Sequence, residues 1–364
     1  MISYFSNLFK PKQTNFDEIF CMGVNLENST THDINRLKDL GIKYILIRFP
    51  MWEMDKLDEY KRYIEEFSEF SIMINLMQSR KHIENKELLK KDIKKIFDTF
   101  TSITSYQVGT TINRKKWQFY SVDEYLKFFE TIKSVRDKSY HDIKLIGSSV
   151  IDFEYHFSIR SLFNFYSIFY DRFSALLYVD RRGSPFSTQA GFDLYKKIKL
   201  LFDIVNLSPK TNKTIYITET NWPISGTAPY APTSEKECVS LEEYAEFMVS
   251  YYLIAIASRR VTRVYWHQLN AKGYGLIDNT TNTFYPAFEA YKYMVQTLKN
   301  KKLLDFDIKD RIKYFRFDKV EIFYHDRGFS KEFIKENDKD IYGNSYKKGR
   351  LIYRERWFVR KGLF

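Results

Sequence analysis

The chain of 364 residues reads as an α/β protein, a (β/α)8 (TIM) barrel with a small C-terminal antiparallel β subdomain. Three observations predict this. Short apolar, β-branched runs recur between longer helical patterns, the alternation of a parallel sheet with crossover helices. The runs approach eight within about 300 residues, the size of one such barrel. Beyond residue 300 the pattern changes to strand-like alternation.

In chain order, the expected strands run from Phe20 to Asn25, Tyr44 to Phe49, Ser71 to Leu76 and Ser105 to Gly109, then Ile143 to Ser148, Ala175 to Asp180, Thr214 to Glu219 and Arg263 to Gln268. Between them, Asp33 to Leu40 is a helix with Thr31 as its N-cap, and Ser121 to Val135 is a helix opening on a near capping box. The apolar stretch from Phe247 to Ala257 is interrupted by Ser250 and ends in Ser258-Arg259-Arg260, so it reads as a buried helix and not as a membrane span. A last helix, Ala287 to Leu298, follows Pro286 and closes the ring. Ile312 to Phe317, Val320 to His325 and Arg350 to Val359 then alternate as antiparallel strands, with Asp326-Arg327-Gly328 and Tyr342-Gly343-Asn344 as turns. The barrel is expected over 18–300 and the subdomain, packed on it, over 301–364.

Composition excludes several classes of protein. Only 13 Gly and 8 Pro, with 18% aromatic residues, rule out collagen-like, linker-dominated and disordered chains. Cys21 and Cys238 stand far apart without CxxC spacing, so neither a disulfide framework nor a metal site is expected, and no motif implies a cofactor. The start, MISYFSNLFKPKQTNF, lacks the features of a signal peptide, and the expected location is cytoplasmic. Lys and Arg number 58 against 46 Asp and Glu, a net charge of +12, with basic residues crowded into KKGRLIYRERWFVRKGLF. Such an excess suits an anionic glycan or a membrane surface. No helix-turn-helix, Cys/His finger or RNP-like run supports a nucleic-acid partner.

In a barrel of this kind, reactive groups stand at the C-terminal ends of the strands. Reading the polar residues there yields Arg48, Gln78, Arg80, Asn113, Arg114 and Lys116 from the first half of the chain, and Asp152, Glu154, Asp180, Arg181 and Arg182 from the middle. Glu219, Asn221, Trp222, Trp266, His267 and Gln268, with Asn25, Glu27 and Trp52 from the first two strand ends, complete the set. Glu219, closing the Ile/Tyr/Ile strand in TIYITETNWP, can attack an anomeric carbon or stabilise an oxocarbenium ion; its other reading is a strand-end ion pair with an arginine. Trp266 is either a sugar-stacking platform or a wall aromatic. Arg48, Arg80, Asn113, Arg114 and Lys116 would surround one mouth of the barrel with cations and suit an anionic sugar. The glycines flanking Tyr274 permit a tight loop after the last strand.

TIYITETNWP, VYWHQL and SYQVGTTINRKKW with SVDEYLKFFETIKSV resemble the retaining glycoside hydrolases of clan A, nearest to families 39 and 5, over residues 18–300. The resemblance implies that Glu219 takes the place of the nucleophile. It also places Gly109-Thr110-Thr111-Ile112-Asn113 where a Gly-Asn-Glu-Pro-Asn-like segment carries the acid/base, so Thr111 replaces that carboxyl. A hydroxyl with no accessible pKa does not protonate a leaving oxygen at neutral pH. The INRKKW segment is similar to barrel proteins associated with bacterial surface polysaccharide and lipopolysaccharide gene sets.

The expected activity is therefore that of a glycosidase acting on an anionic bacterial surface glycan or lipopolysaccharide-type intermediate. Its acid is recruited from Asp180, Asp152 or Glu154. Trp222 and Trp266 stack the ring, and Asn113 and Gln268 bind its hydroxyls. Arg181 and Arg182 would hold a phosphate or carboxylate, or merely pair with Asp180. The alternative is a non-hydrolytic glycan-binding or polysaccharide-assembly protein on the same barrel.

Overall fold

A computed structural model describes residues 16–180, 183–329, 333–335, 337–346 and 356–362. β1 (Phe20–Val24), β2 (Tyr44–Pro50), β3 (Ser71–Met77), β4 (Ser105–Val108), β5 (Lys144–Ile151), β6 (Arg172–Leu176), β7 (Ile215–Thr220) and β8 (Arg263–Trp266) pair in sequence order. β1 also pairs in parallel with β8, which closes the barrel. Helices α1 (Asp33–Asp39), α2 (Leu57–Glu66), α3 (Arg80–Glu84), α4 (Lys86–Thr99), α5 (Val122–Ser139), α6 (Tyr155–Leu162), α7 (Leu194–Leu207), α8 (Leu241–Ser258) and α9 (Pro286–Leu298) form the crossovers and the closing element.

The sixth strand differs most from its expected position. Phe173, Ser174 and Ala175 already pair with Ile215, Tyr216 and Ile217, so the strand starts three residues before the apolar run that suggested it. Leu177, Tyr178 and Val179 are buried but unpaired with a neighbouring strand; burial gave them a strand-like pattern. Tyr251 Oη instead donates to the Leu177 carbonyl at 2.6 Å, so α8 anchors the segment where it leaves the sheet. At α1 the N-cap is His32, not Thr31, and Asp33 locks the first turn by accepting from Thr30 N at 3.1 Å and Thr30 Oγ1 at 2.6 Å. Ser121 caps α5 through Glu124 N, but Glu124 turns back to Tyr120 N; the full capping box is Ser240 with Glu243 on α8.

Period-two alternation divides the strand side chains between two cores. Cys21, Leu46, Met73, Ile146, Tyr216 and Tyr265 make a small cluster of their own, distinct from the large core beneath the helices. Two residues along each of those strands stand Gly23, Arg48, Asn75, Ser148, Thr218 and His267, so the barrel interior turns polar toward the C-terminal ends.

β9 (Ile277–Asp278) and β10 (Thr283–Phe284) form a short hairpin before α9. β11 (Leu303–Asp307), β12 (Ile312–Phe317), β13 (Val320–His325) and β14 (Trp357–Lys361) form an antiparallel sheet in that order. β11 was not expected, because Leu304, Asp305 and their neighbours leave one face in solvent and break the apolar pattern. The strand expected from Arg350 pairs only over Trp357–Lys361; residues 350–355 lie outside the described residues, as does much of the basic C-terminal run. The sheet packs on the barrel through Phe317 against Phe16 and Phe186 stacked on Tyr324, with ring centroids 5.7 and 5.0 Å apart.

The glycines flanking Tyr274 are required by close approach. A Cβ on Gly275 would lie 2.3 Å from Ala271 N, and one on Gly273 2.3 Å from Tyr230 O, in both cases backbone atoms that cannot swing aside. Gly275→Ala is expected to lower stability by about 2 kcal/mol, read as a shift of the urea midpoint at unchanged slope.

Candidate functional site

The position of Glu219 depends on an irregularity in β7. Strict alternation from Tyr216, which faces the barrel interior, would send Glu219 outward toward the helices. Between Ile217 and Thr220, however, the register slips: these two residues, three apart on β7, pair with Val264 and Trp266, two apart on β8. The extra residue reverses the parity and aims Glu219 inward, the re-aiming for which bulges are used near sites.

Arg48, at the interior position two beyond Leu46 on β2, hydrogen-bonds and ion-pairs with Glu219 Oε2. Tyr178 Oη donates to Oε1 at 2.6 Å. Burial acts to raise the carboxyl's pKa, but the Arg48 charge and these hydrogen bonds outweigh it and hold the group at about 2, below its ordinary 4.5. His267, the residue that follows β8, is pushed down to about 3 by burial and by Arg48, so it is neutral at pH 7. It stacks on Tyr274 with centroids 5.4 Å apart. Glu219 retains 14% side-chain exposure.

Tyr178 connects this carboxylate to a cavity of about 360 Å3 at the same end of the barrel, lined also by Arg114, Asp152, Glu154, Asp180 and Glu237. That is the size of a small-ligand site. A comparable cleft of about 370 Å3 between α2 and the segment preceding β4 lies at the opposite end, where barrel loops serve stability.

The three candidate acids are not equivalent. Arg114 binds Asp152 Oδ2 at 2.9 Å and Glu154 Oε1 at 2.8 Å, and Asn113 Nδ2 donates to Glu154 Oε2 at 2.9 Å. Burial acts to raise Glu154, but those contacts leave its pKa lowered, which suits an anion and not a proton donor. Asp180 makes no side-chain hydrogen bond or ion pair with a described residue. Thr111 is buried with a left-handed backbone (φ 49°), its hydroxyl 3.4 Å from that of Thr110.

Several residues expected to touch substrate are engaged within the fold. The Gln78 amide binds both Thr110 N and Thr110 O at 2.9 Å, and Asn113 brackets Ile151 N and O at 2.9 and 3.0 Å, so each splints the backbone after β4 or β5. Arg80 forks onto Glu124 at 2.8 and 2.9 Å and covers the Tyr120 ring. Asn221 donates to the His267 carbonyl, tying β7 to β8. Lys116 is exposed, and Arg181 and Arg182 lie outside the described residues.

Trp222 and Trp266 are fully buried and stack on each other at 5.9 Å, their indole N–H groups donating to Gly183 O and Tyr244 Oη. Tyr265 on β8 and His267 just after it point to the interior, so Trp266 faces α8. Neither indole presents a face to a ligand. Gln268 is buried, and its amide N and O have no hydrogen-bond partner among the described residues. Asn75, Gln107 and Thr218 also bury oxygens that no described donor reaches.

Sequence reasoning does not single out Tyr178, and it marks Tyr274 only through its flanking glycines. Tyr178 lies within an apolar run that reads as strand, and only its unpaired path out of β6 brings the hydroxyl to Glu219. No group of three or more His, Cys, Asp or Glu among the described residues could hold a metal ion.

No protein-family model and no curated protein matches the chain. Among solved structures, the barrel resembles a family 39 glycoside hydrolase from Bacteroides cellulosilyticus, with TM-score 0.68 and 12% identity over 95% of this chain and 81% of that one. It also resembles a family 30 endoxylanase from Clostridium papyrosolvens, with TM-score 0.59 and 10% identity over 97% and 98% of the two chains. A β-glucosidase from Thermotoga maritima matches with TM-score 0.56 and 11% identity over 81% and 100%. The chain thus has a glycoside hydrolase-like TIM barrel fold.

Because the folded-state pKa of Glu219 is depressed, its stabilising contribution is complete above its ordinary 4.5 and is lost as pH falls toward about 2. Glu219→Gln is therefore expected to flatten the acid side of the stability profile, read as urea midpoints between those pH values. Arg48→Met, which leaves the carboxylate buried without its cation, is expected to cost about 3–5 kcal/mol at neutral pH, read in the same assay.

Proposed function

We propose that the chain is a glycoside hydrolase-like enzyme in which Glu219 acts as the nucleophile or stabilises the oxocarbenium ion. The observation that carries this reading is a largely buried carboxylate, kept ionised by Arg48 and Tyr178, beside a cavity that Tyr178 also lines. An ionised oxygen with little solvent to displace is suited to the positive charge that develops at an anomeric carbon. Asp180 is the proposed acid, since Arg114 neutralises both Asp152 and Glu154. Gln268, with its unpartnered amide, is the proposed hydroxyl-binding residue.

The proposed substrate is an anionic bacterial surface glycan or lipopolysaccharide-type intermediate. The net charge of +12 supports its negative charge. Of the described cations near the strand ends, Arg48, Arg80 and Arg114 do not, because each is paired with a carboxylate, and Lys116 alone among the predicted ones is exposed. The second reading, a glycan-binding protein without turnover, is favoured by Thr111 at the usual acid position and by the engagement of Asp152 and Glu154 with Arg114.

Incubation with activated 2-fluoro glycosides followed by peptide mass spectrometry is expected to show a covalent adduct on Glu219. Glu219→Gln should reduce turnover about 10³-fold or more while leaving glycan affinity near wild type. Asp180→Asn should lose turnover on natural linkages but recover it on aryl glycosides whose leaving group needs no proton. Glycan binding by the wild type with neither adduct nor turnover would establish the second reading in place of the first.

A further inference from the structure

The end of the barrel opposite the cavity carries an apolar patch that no other part of the described chain covers. Phe165 is 108% exposed, and Leu207, Phe163, Ile159 and Phe169 are 53, 47, 43 and 36% exposed. They come from the last turn of α6, the loop after it and the end of α7, which are fastened together. Ser208 Oγ donates to Leu162 O at 3.0 Å, and Lys210 Nζ donates to Asn164 Oδ1 at 3.0 Å and to Tyr166 O. Asn164 Oδ1 also accepts from Tyr166 N at 3.0 Å, so the loop displays its phenylalanines from a built turn. Isolated exposed apolar residues need no explanation, but a contiguous aromatic patch marks an interaction surface.

The charge around the patch distinguishes among occupants. Arg160 beside Ile159 is exposed and pairs with no described acid, while Lys210, Lys213 and Arg172 lie on the adjoining segments. The acids that reach this loop are engaged: Asp171 with Arg136 at 3.0 Å and Leu145 N at 2.9 Å, and Glu130 with Ser167 N at 2.7 Å. A second copy docking by the same face would oppose these cations to themselves. Protruding aromatic rings with Arg160 exposed beside them and the half-buried Lys210, Lys213 and Arg172 behind them instead match an anionic lipid surface, where rings enter the headgroup boundary and cations sit above it. No described helix is long and apolar enough to cross a membrane.

We propose that this end of the barrel, through Phe163, Phe165 and the cations around them, docks peripherally on anionic phospholipid. Because the candidate cavity opens at the other end, docking leaves it facing away from the bilayer. The proposal does not depend on the glycosidase reading.

The test is sedimentation of the full chain with vesicles of phosphatidylcholine alone and of phosphatidylcholine mixed with phosphatidylglycerol, at low and high salt. The chain is expected to bind the mixed vesicles, weakly or not at all the neutral ones, with affinity falling as salt rises. Phe165→Ser should weaken binding about ten-fold or more, and Arg160→Glu should weaken it and reduce its salt dependence. Both residues are exposed, so unchanged circular dichroism and thermal midpoint are expected to accompany the loss. Equal binding to both vesicles, no binding to either, or unchanged binding by Phe165→Ser would overturn the proposal. So would a dimer in sedimentation equilibrium that Phe165→Ser abolishes, which would assign the patch to a second copy.

Discussion

The site is organised around one contact, the pairing of Arg48 on β2 with Glu219 on β7 inside the closed barrel. A barrel brings those strands within reach of each other, and the slip of register before Thr220 turns the carboxylate inward to meet the cation. Burial acts to push the carboxyl up, and the Arg48 charge, with the Tyr178 hydrogen bond, holds it ionised against that. With it, the interior can hold an anion beside a neutral His267, and the surrounding layer turns from apolar to polar within two residues along each strand.

Around that pair, much of the polar equipment at the strand ends maintains the scaffold. Gln78 and Asn113 replace missing backbone pairing where the chain leaves β4 and β5, and Asn221 joins β7 to β8. These bonds stiffen the loops from which a site is built, because a buried amide matched to backbone has little freedom to rearrange. The segment carrying Tyr178 and Asp180 is held from several sides. Tyr251 anchors Leu177, Trp222 binds Gly183 O at 3.1 Å, and Phe186 stacks on Tyr324 of the C-terminal sheet. The small sheet therefore braces the loop that lines the cavity, and the two stacked tryptophans serve as wall between β7, β8 and α8.

Much of the architecture was legible from periodicity. The strands at Tyr44, Ser71 and Ser105 start at the expected residues, since alternation and turn residues mark them locally. Leu177 to Val179 misled because burial without pairing looks like a strand, and β11 was hidden because half of it faces water. At the site, Glu219 could be singled out as a carboxylate closing an apolar run, and Arg48 as a cation within another. That they form a pair is a fact about barrel closure. Trp222 and Trp266 fit a sugar platform by residue type, but the parity of β8 turns Trp266 toward α8, and Trp222 stacks on it.

The sequence by itself determined the number and order of the βα units, the burial of α8 and the acidic residue at the end of β7, because each is written in local spacing of apolar and polar side chains. Only the tertiary structure decided which charges meet. Arg114 takes Asp152 and Glu154, Arg80 takes Glu124, Arg48 takes Glu219, and Asp180 keeps a carboxylate that no described side chain binds. Ion pairing depends on distances of a few ångströms between residues far apart in the chain, and those distances exist only once strand register, bulges and barrel closure have been set.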